Sequence, residues 1–323
     1  MVGSVSDSQG DVICVGLVVA DHVCAPISRF PPAGELVTTR SLTLTIGGCA
    51  ANVAVDLAKL GVSASLVGKV GDDVFGQYVR DELERCGVNC RGMSISPTTQ
   101  TSGTMVVNVQ GEDRRFIHAV GANAELTGGE VTDGDLAAAK ILYVGGFGLN
   151  AALSGENVAQ LFQRARKHGV RTVLDVVVDH PKMVSEMLPA PLQHTDLFLP
   201  NTDEARMLSG LAAPNEQAEH FLKMGARTVI ITQGPGGALL QEQGRPPVRI
   251  SSHAVEQVDG TGGGDAFVAG YLYGLLKEAS VEECLNYGAA SGASCVQIAG
   301  ATTGVLRAPE LEAFVAEHRL GVT

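Results

Sequence analysis

The chain has 323 residues, and 23 Lys and Arg against 35 Asp and Glu leave a formal charge of −12. A chain of 33.4 kDa buries roughly three quarters of the surface that its unfolded form exposes, enough for a large core without staples. With 45% apolar and 18% charged residues it is too hydrophobic for disorder, and its 40 glycines follow no collagen period. The acidic balance, 4% aromatics and absence of Trp exclude a basic, aromatic-lined nucleic-acid groove. The seven cysteines form no CxxC pair and no metal-ligand pattern with His, so reduced thiols in a cytoplasmic protein are expected. The opening MVGSVSDSQGD lacks the basic start and apolar run of a signal peptide. The uncharged run between Glu283 and Arg307 is long enough to span a membrane, but its Asn286, Ser291, Ser294, Gln297 and repeated Gly fit a buried helix and loop. No membrane partner is expected.

In chain order, DVICVGLVV, ANVAVDLAKLG, SASLVGKV and DVFGQYVRDELERCG alternate β-branched runs with helical patterns, which predicts βαβ units and a mostly parallel sheet. The alternation resumes with the strands KILYVGG, RTVLDVVV, TDLFLPN and RTVIITQG and the amphipathic helices ENVAQLFQRARKHG and NEQAEHFLKMG. The fold class is therefore α/β. Two stretches depart from it: LVTTRSLTLTI, and the runs TSGTMVVNVQ and RRFIHAV around a turn from Gly111 to Asp113. Their alternation predicts a small antiparallel sheet acting as a lid, with segments near 34–46 and 98–120 inserted in one domain spanning 1–323.

Three glycine-rich segments carry the chemistry. In DGTGGGDAFVAGYLYGLL, residues 259 to 276, Gly262, Gly263 and Gly264 precede a helical pattern, so bare backbone N–H groups open a helix toward an anion. Asp265 in that turn fits two roles: a first-turn acid that favours the helix dipole, or a general base beside a phosphate cradle. In IGGCAANVAVDLAKLG, Gly47 and Gly48 allow close approach of a ligand, with Asn52 over the same helix end; the alternative is tight helix packing. Asp21 ends the apolar run VICVGLVVAD, either facing the crevice at the strand ends or serving a turn. Asn201 and Glu204 in NTDE form a capping-box pattern, or sit near a hydrated Mg²⁺. Thr232, Gly234 and Gly237 in TQGPGG bring backbone toward a nucleotide or form a Gly-Pro turn. No GxxxxGK[ST] loop, GxGxxG at the first strand, GxSxG elbow, HExxH helix or kinase HRD and DFG set occurs.

Assembled, these segments resemble the PfkB or ribokinase-like family of carbohydrate kinases over nearly the whole chain. One signature runs from Gly47 and Gly48 through Asn52 and Ala54 to Gly61 and Gly71, with GKVGDDVFG typical of the family; the other is DGTGGGDAFVAG, similar to DTTGAGDxFxxG. The second departs at Gly260, where the family generally has Thr, Ser, Pro or Val, and at Gly263, where Ala is common. The resemblance implies a central mainly parallel sheet flanked by helices, a β lid that in several members makes a homodimer contact, and transfer of a phosphoryl group from ATP to a substrate hydroxyl.

It further implies that Asp265 is the base, that the amides of Gly262, Gly263 and Gly264 form the anion hole, and that Asp21, Gly47, Gly48 and Asn52 bind the acceptor. Asn201 and Glu204 match the NxxE motif associated with Mg²⁺ and phosphate. Thr232, Gly234 and Gly237 match the nucleotide loop, and Asn286 falls on the helix bordering the adenine pocket. Many members bind a monovalent cation, K⁺, through carbonyls around Asp259, Thr261 and the loop near Gly300.

Members closest to ribokinase carry a Glu in the strand corresponding to KILYVGGFGLN; none occurs from Lys140 to Asn150, which speaks against ribose. Asn123 and His118 are candidates for sugar hydroxyls, and Arg114 and Arg115 read as solvated charges beside a turn or as receptors for a phosphorylated sugar. The leading expectation is an ATP-dependent kinase of a small sugar or sugar-like alcohol. A nucleoside kinase of the same fold and a catalytically silent sugar sensor are the alternatives, with a nucleotide-dependent oxidoreductase more remote.

Overall fold

The computed structural model describes residues 10–112 and 114–323; the N-terminal residues 1–9 and Asp113 of the anticipated turn lie outside it. Its strands, in chain order, are β1 (Val12–Gly16), β2 (Val19–Cys24), β3 (Leu42–Gly47), β4 (Ala64–Gly71), β5 (Asn89–Ser96), β6 (Gly103–Val107), β7 (Arg115–Ala119), β8 (Ile141–Phe147), β9 (Arg171–Val176), β10 (Leu197–Phe198), β11 (Thr228–Thr232), β12 (Ala238–Glu242) and β13 (Val248–Ile250). Nine of them form one sheet in the order β13-β12-β11-β10-β9-β8-β1-β4-β5, parallel except at β12 and β13.

Both faces of this sheet are covered, as a parallel sheet requires. Along β1, Val12 and Cys14 enter one apolar core while Ile13 and Val15 enter the other. The first core packs under the Cys49–Lys59 and Gly263–Leu276 helices, the second under the Gly155–Lys167 and Pro214–Lys223 helices. The chain runs from β1 outward to β4 and β5, then returns to β8 and proceeds the other way. That reversal leaves a crevice at the carboxyl ends of β1 and β8, the usual ligand position in open α/β sheets. The uncharged run near the C-terminus is the buried helix Val281–Cys295, and no helix among the described residues is long and apolar enough to cross a membrane.

The remaining strands form a second sheet, β3-β2-β6-β7. Its outer pairs are antiparallel and the central β2–β6 pair is parallel. The apolar run VICVGLVVAD, expected as one strand, is divided between the two sheets. Gly16 has φ +140, and a Cβ there would collide with the carbonyl of Gly145, so the chain leaves the large sheet at that point. Asp21 consequently belongs to the lid sheet, opposite Thr45 of β3, and not to the end of a central strand.

Candidate active site

Five helices among the described residues are closed at the N-terminus by a side chain, among them those after Asp73, Ser154 and Ser280, where the side chain accepts from the amides of the helix that follows. Two others open on glycine. The Cys49–Lys59 and Gly263–Leu276 helices start after Gly48 and Gly262, and neither has a side-chain cap. Their first-turn amides therefore retain donors that an anion could satisfy. Gly262 has φ +77, and a Cβ on it would strike the carbonyl of Ala301. Gly264 faces open space; Gly263 donates a long 3.4 Å bond to the Gly260 carbonyl.

The two open ends meet through Asn52, whose Nδ2 donates to Oδ2 of Asp265 at 2.8 Å. Burial pushes the Asp265 carboxyl up to about 6; Asn52 and Cys49 pull it down, and Asp21 adds repulsion. Burial likewise raises Asp21 to about 6. The Asp21 carboxylate lies against Gly47 so closely that any Cβ at Gly47 would overlap it, which explains the bare position there. Gly48 is as tightly placed, with a Cβ only 2.5 Å from the Leu17 carbonyl.

Residues that the sequence did not single out complete the cluster. Cys49 Sγ and carboxylate oxygens of Asp175 and Asp265 lie within 4.8 Å of one another, and Tyr143 donates from its hydroxyl to Asp175 Oδ2 at 3.2 Å. Burial raises Asp175 well above the carboxylate range, with Glu204 and Asp265 repelling it further. Glu204 is raised to about 7 by burial against a pull from the Asn201 amide, with Asp265 again adding repulsion. Burial, then the charges of Asp265 and Asp175, hold the Cys49 thiol protonated. The signal for Asp175 was present as one acid interrupting the apolar strand RTVLDV.

Asn201 and Glu204 form the anticipated capping box. The Asn201 side chain accepts from the Asp203 and Glu204 amides, and Glu204 Oε2 accepts from the Asn201 amide at 2.9 Å. Asn201 also bridges to Thr232, placing the NTDE turn beside the loop after β11. In that loop Gly234 and Gly237 both have positive φ; the Gly234 Cβ position is open, whereas a Cβ at Gly237 would hit the Ile250 carbonyl.

A cluster of repelling carboxylates suits a divalent cation, and oxygen donors on Asp265, Asp175 and Glu204 suit Mg²⁺, which keeps most of its water. Bare backbone at Gly264 and Gly234 leaves room for phosphate. The region expected to hold a monovalent cation carries side-chain partners of its own. Asp259 Oδ1 is bonded by Arg114 Nη1 at 2.8 Å, which also bonds the Thr261 hydroxyl, and Asp259 Oδ2 accepts from the Gly300 amide at 3.0 Å. Cys295 Sγ donates toward the carbonyls of Thr261 and Ala301 at 3.5 and 3.1 Å, and Lys59 Nζ donates to the Thr302 carbonyl. The Asp259 carboxylate and the carbonyls of Thr261, Ala301 and Thr302 in this region are thus engaged, Asp259 is not an open side-chain metal ligand, and Arg114 is not a solvated charge.

Two further expectations are corrected. Asn123 is fully buried, its amide oxygen accepting from the Val18 amide at 3.2 Å and its nitrogen donating to the Val18 carbonyl at 3.0 Å, so it braces backbone and faces no sugar. Asn286, also fully buried, spends its side chain on the carbonyls of Glu282 and Leu320 and the amide of Leu320, fastening the C-terminal segment. His118 bonds the Thr104 hydroxyl at 3.0 Å across the lid.

The crevice beside the cluster is lined by Asp21, Thr45, Asn108, Arg114, Asp259 and Thr261, together with aliphatic side chains. A larger cavity of about 640 Å³ lies at the amino ends of β9, β10 and β11, between Arg171, Arg227 and Tyr271. It contains neither open helix end, so its size does not make it the reaction site.

The sequence matches the pfkB family carbohydrate kinase description over residues 9–308. The chain is similar to a ribokinase of Haemophilus influenzae, 28% identical over 94% of this chain and 97% of that one. It is similar to a 5-dehydro-2-deoxygluconokinase of Clostridium tetani, 24% identical over 96% and 94% of the two chains. Among solved structures it resembles Arabidopsis thaliana ribokinase complexed with ribose and ATP, with a TM-score of 0.81, 25% identity, and coverage of 95% of this chain and 99% of that one. With the fold, the two uncapped glycine helix starts and this match in agreement, the chain belongs to the pfkB family of carbohydrate kinases.

Proposed function

We propose that this protein transfers the γ-phosphoryl group of ATP, with Mg²⁺, to a hydroxyl of a small sugar or sugar-like alcohol. The observation that carries the reading is Asp265: a carboxyl raised to about 6, oriented by Asn52, in the first turn of a helix whose N-terminal amides have no cap. Near neutral pH such a group is mostly ionised yet basic enough to accept a proton. The acceptor O–H gives its proton to Asp265 as the new O–P bond forms and the bond from the γ-phosphorus to the β-phosphate oxygen breaks, releasing ADP. Amides of Gly263 and Gly264 face the charge that develops on the moving group. Mg²⁺ supplies charge neutralisation when bound; Asp175 and Glu204 are the chain's own oxygens nearest that role.

Asp21 and Asn52 orient the acceptor, and Thr232, Gly234 and Gly237 border the nucleotide. The side-chain oxygens and amide of Asp21, Thr45, Asn108 and Thr261 in the crevice suit the hydroxyls of a sugar. The relatives are named for ribose and for 5-dehydro-2-deoxygluconate kinase activity, so both belong in the acceptor panel. ADP release with sugars, sugar acids and nucleosides, with and without Mg²⁺, tests the reading. Turnover with a sugar and none without Mg²⁺ is expected; no turnover with any acceptor would leave a silent sugar sensor.

Lid strands β6 and β7 expose Met105 and Ile117, which sit opposite each other in the register and share one face, each more than half accessible. We propose that this face pairs with a second copy of the chain in a reducing cytoplasm. Sedimentation of the wild type against Ile117→Lys reads the dimer directly.

A further inference from the structure

Resting on the kinase reading above, we propose that Arg114 is a positioning residue that takes the place of a bound monovalent cation, and that Gly260 is bare in order to admit it. Arg114 lies at the turn end of the β6–β7 hairpin of the lid, and its guanidinium reaches Asp259 at 2.8 Å and the Thr261 hydroxyl in the glycine turn. Asp259 in turn accepts from the Thr261 amide at 2.9 Å and from the Gly300 amide at 3.0 Å. One carboxylate therefore ties the lid, the glycine turn and the loop after the Val281–Cys295 helix together.

The guanidinium suits this place because its Nη1 carries two N–H groups and reaches both the Asp259 and Thr261 oxygens while keeping its charge. On the far side of the same loop pair, Lys59 reaches the Thr302 carbonyl. Two side-chain cations thus bracket the backbone whose oxygens would otherwise hold a free ion. Gly260 records the same arrangement in the sequence. A Cβ there would stand 2.9 Å from Gln257 Nε2 and 3.3 Å from Arg114 Nη2, so a larger residue at this position would press first on the Gln257 amide and shift the guanidinium by a few tenths of an ångström. The two departures, a bare residue in the turn and an arginine in the lid, are complementary.

The consequence is catalysis that does not need K⁺ and a catalytic turn whose shape depends on lid closure. The first test needs no substrate: crystals of wild type and Arg114→Ala soaked in Rb⁺ and read by anomalous scattering. No peak near Asp259 in the wild type and a peak in the variant are expected. A peak in the wild type overturns the proposal, as does no peak in either protein. Because this readout is independent of turnover, it stands apart from the kinase reading should no acceptor be found.

The second test is steady-state turnover in tetramethylammonium buffer. The wild type should be indifferent to added K⁺, while Arg114→Ala loses about tenfold in kcat, recovered in part by K⁺ or guanidinium. Arg114→Lys, which retains a cation, should keep more activity than the alanine variant. Activation of the wild type by K⁺, or loss in Arg114→Ala that no cation recovers, counts against the proposal.

Discussion

The two carboxylates flanking the glycine turn have opposite fates. Burial pushes Asp259 up, but the Thr261 hydroxyl, the Gly300 and Thr261 amides and the Arg114 charge outweigh it and hold its pKa below the ordinary value. Asp265, at the other end of the turn, has Asn52 and Cys49 as donors against burial and neighbouring acids, and is raised to about 6. A turn that must hold its shape while moving a proton has separated the two tasks. The saturated carboxylate anchors backbone, and the underserved one keeps basicity for chemistry.

The comparison is broken most severely at the base. Asp265→Asn should keep the fold and acceptor binding and lower turnover at least about 10²-fold in the ADP-release assay. Near-normal turnover would remove Asp265 from the proton path. Crowding the anchor is the next largest: Gly260→Val should cost on the order of tenfold in kcat by displacing Arg114, with a smaller loss in Gly260→Ala. Equal activity across the three residues at position 260 would show that the anchor tolerates displacement.

A smaller change sharpens the contrast from the other side. Asn52→Ala removes a donor from the ionised form of Asp265, so the acid limb of the kcat/KM profile should move to higher pH. The part of the loss at pH 7 that comes from this shift, about two- to tenfold, should be regained near pH 9, because a charged hydrogen bond is worth about 1.5–3 kcal/mol, while any loss of acceptor orientation persists at both pH values. A fixed limb would mean that the profile reports another group.

The smallest effect is on stability. Asp21, Asp265 and Glu204 have folded values of about 6, 6 and 7, above their ordinary ones. Between roughly pH 4 and 7 the folded chain therefore binds more protons than the unfolded chain, and unfolding free energy falls as pH rises. Without Mg²⁺, this cluster should lower Tm by a few degrees between pH 5 and pH 8, and Asp265→Asn should flatten that slope. An unchanged slope in the variant would show that Asp265 is not raised.

What was legible in the sequence was what the backbone encodes locally. Glycines that open helices, a carboxylate in the first turn and alternating β runs leave marks within a few residues of their effect. Asp175, Tyr143 and Cys49 come from separate elements and converge only because the Cys49–Lys59 helix begins beside β8 and the carboxyl end of β9. Arg114 was read as solvated because its partner lies far along the chain. Asn123 follows the lid hairpin and Asn286 falls on the helix that the resemblance sets beside adenine, and neither position reveals in sequence that the side chain completes buried backbone hydrogen bonding.

The short passage from β1 to β2 bears on how such a scaffold is reshaped. Leu17 is bonded to the Gly145 carbonyl and to the Ala51 amide, and Val18 is held on both sides by Asn123. The lid is thus rooted rigidly at its base, and adaptation to a new guest is left to the strands beyond Ala20. Grafting those strands from a relative would transplant guest preference onto an undisturbed engine, provided that the donor hairpin brings an arginine to the place of Arg114.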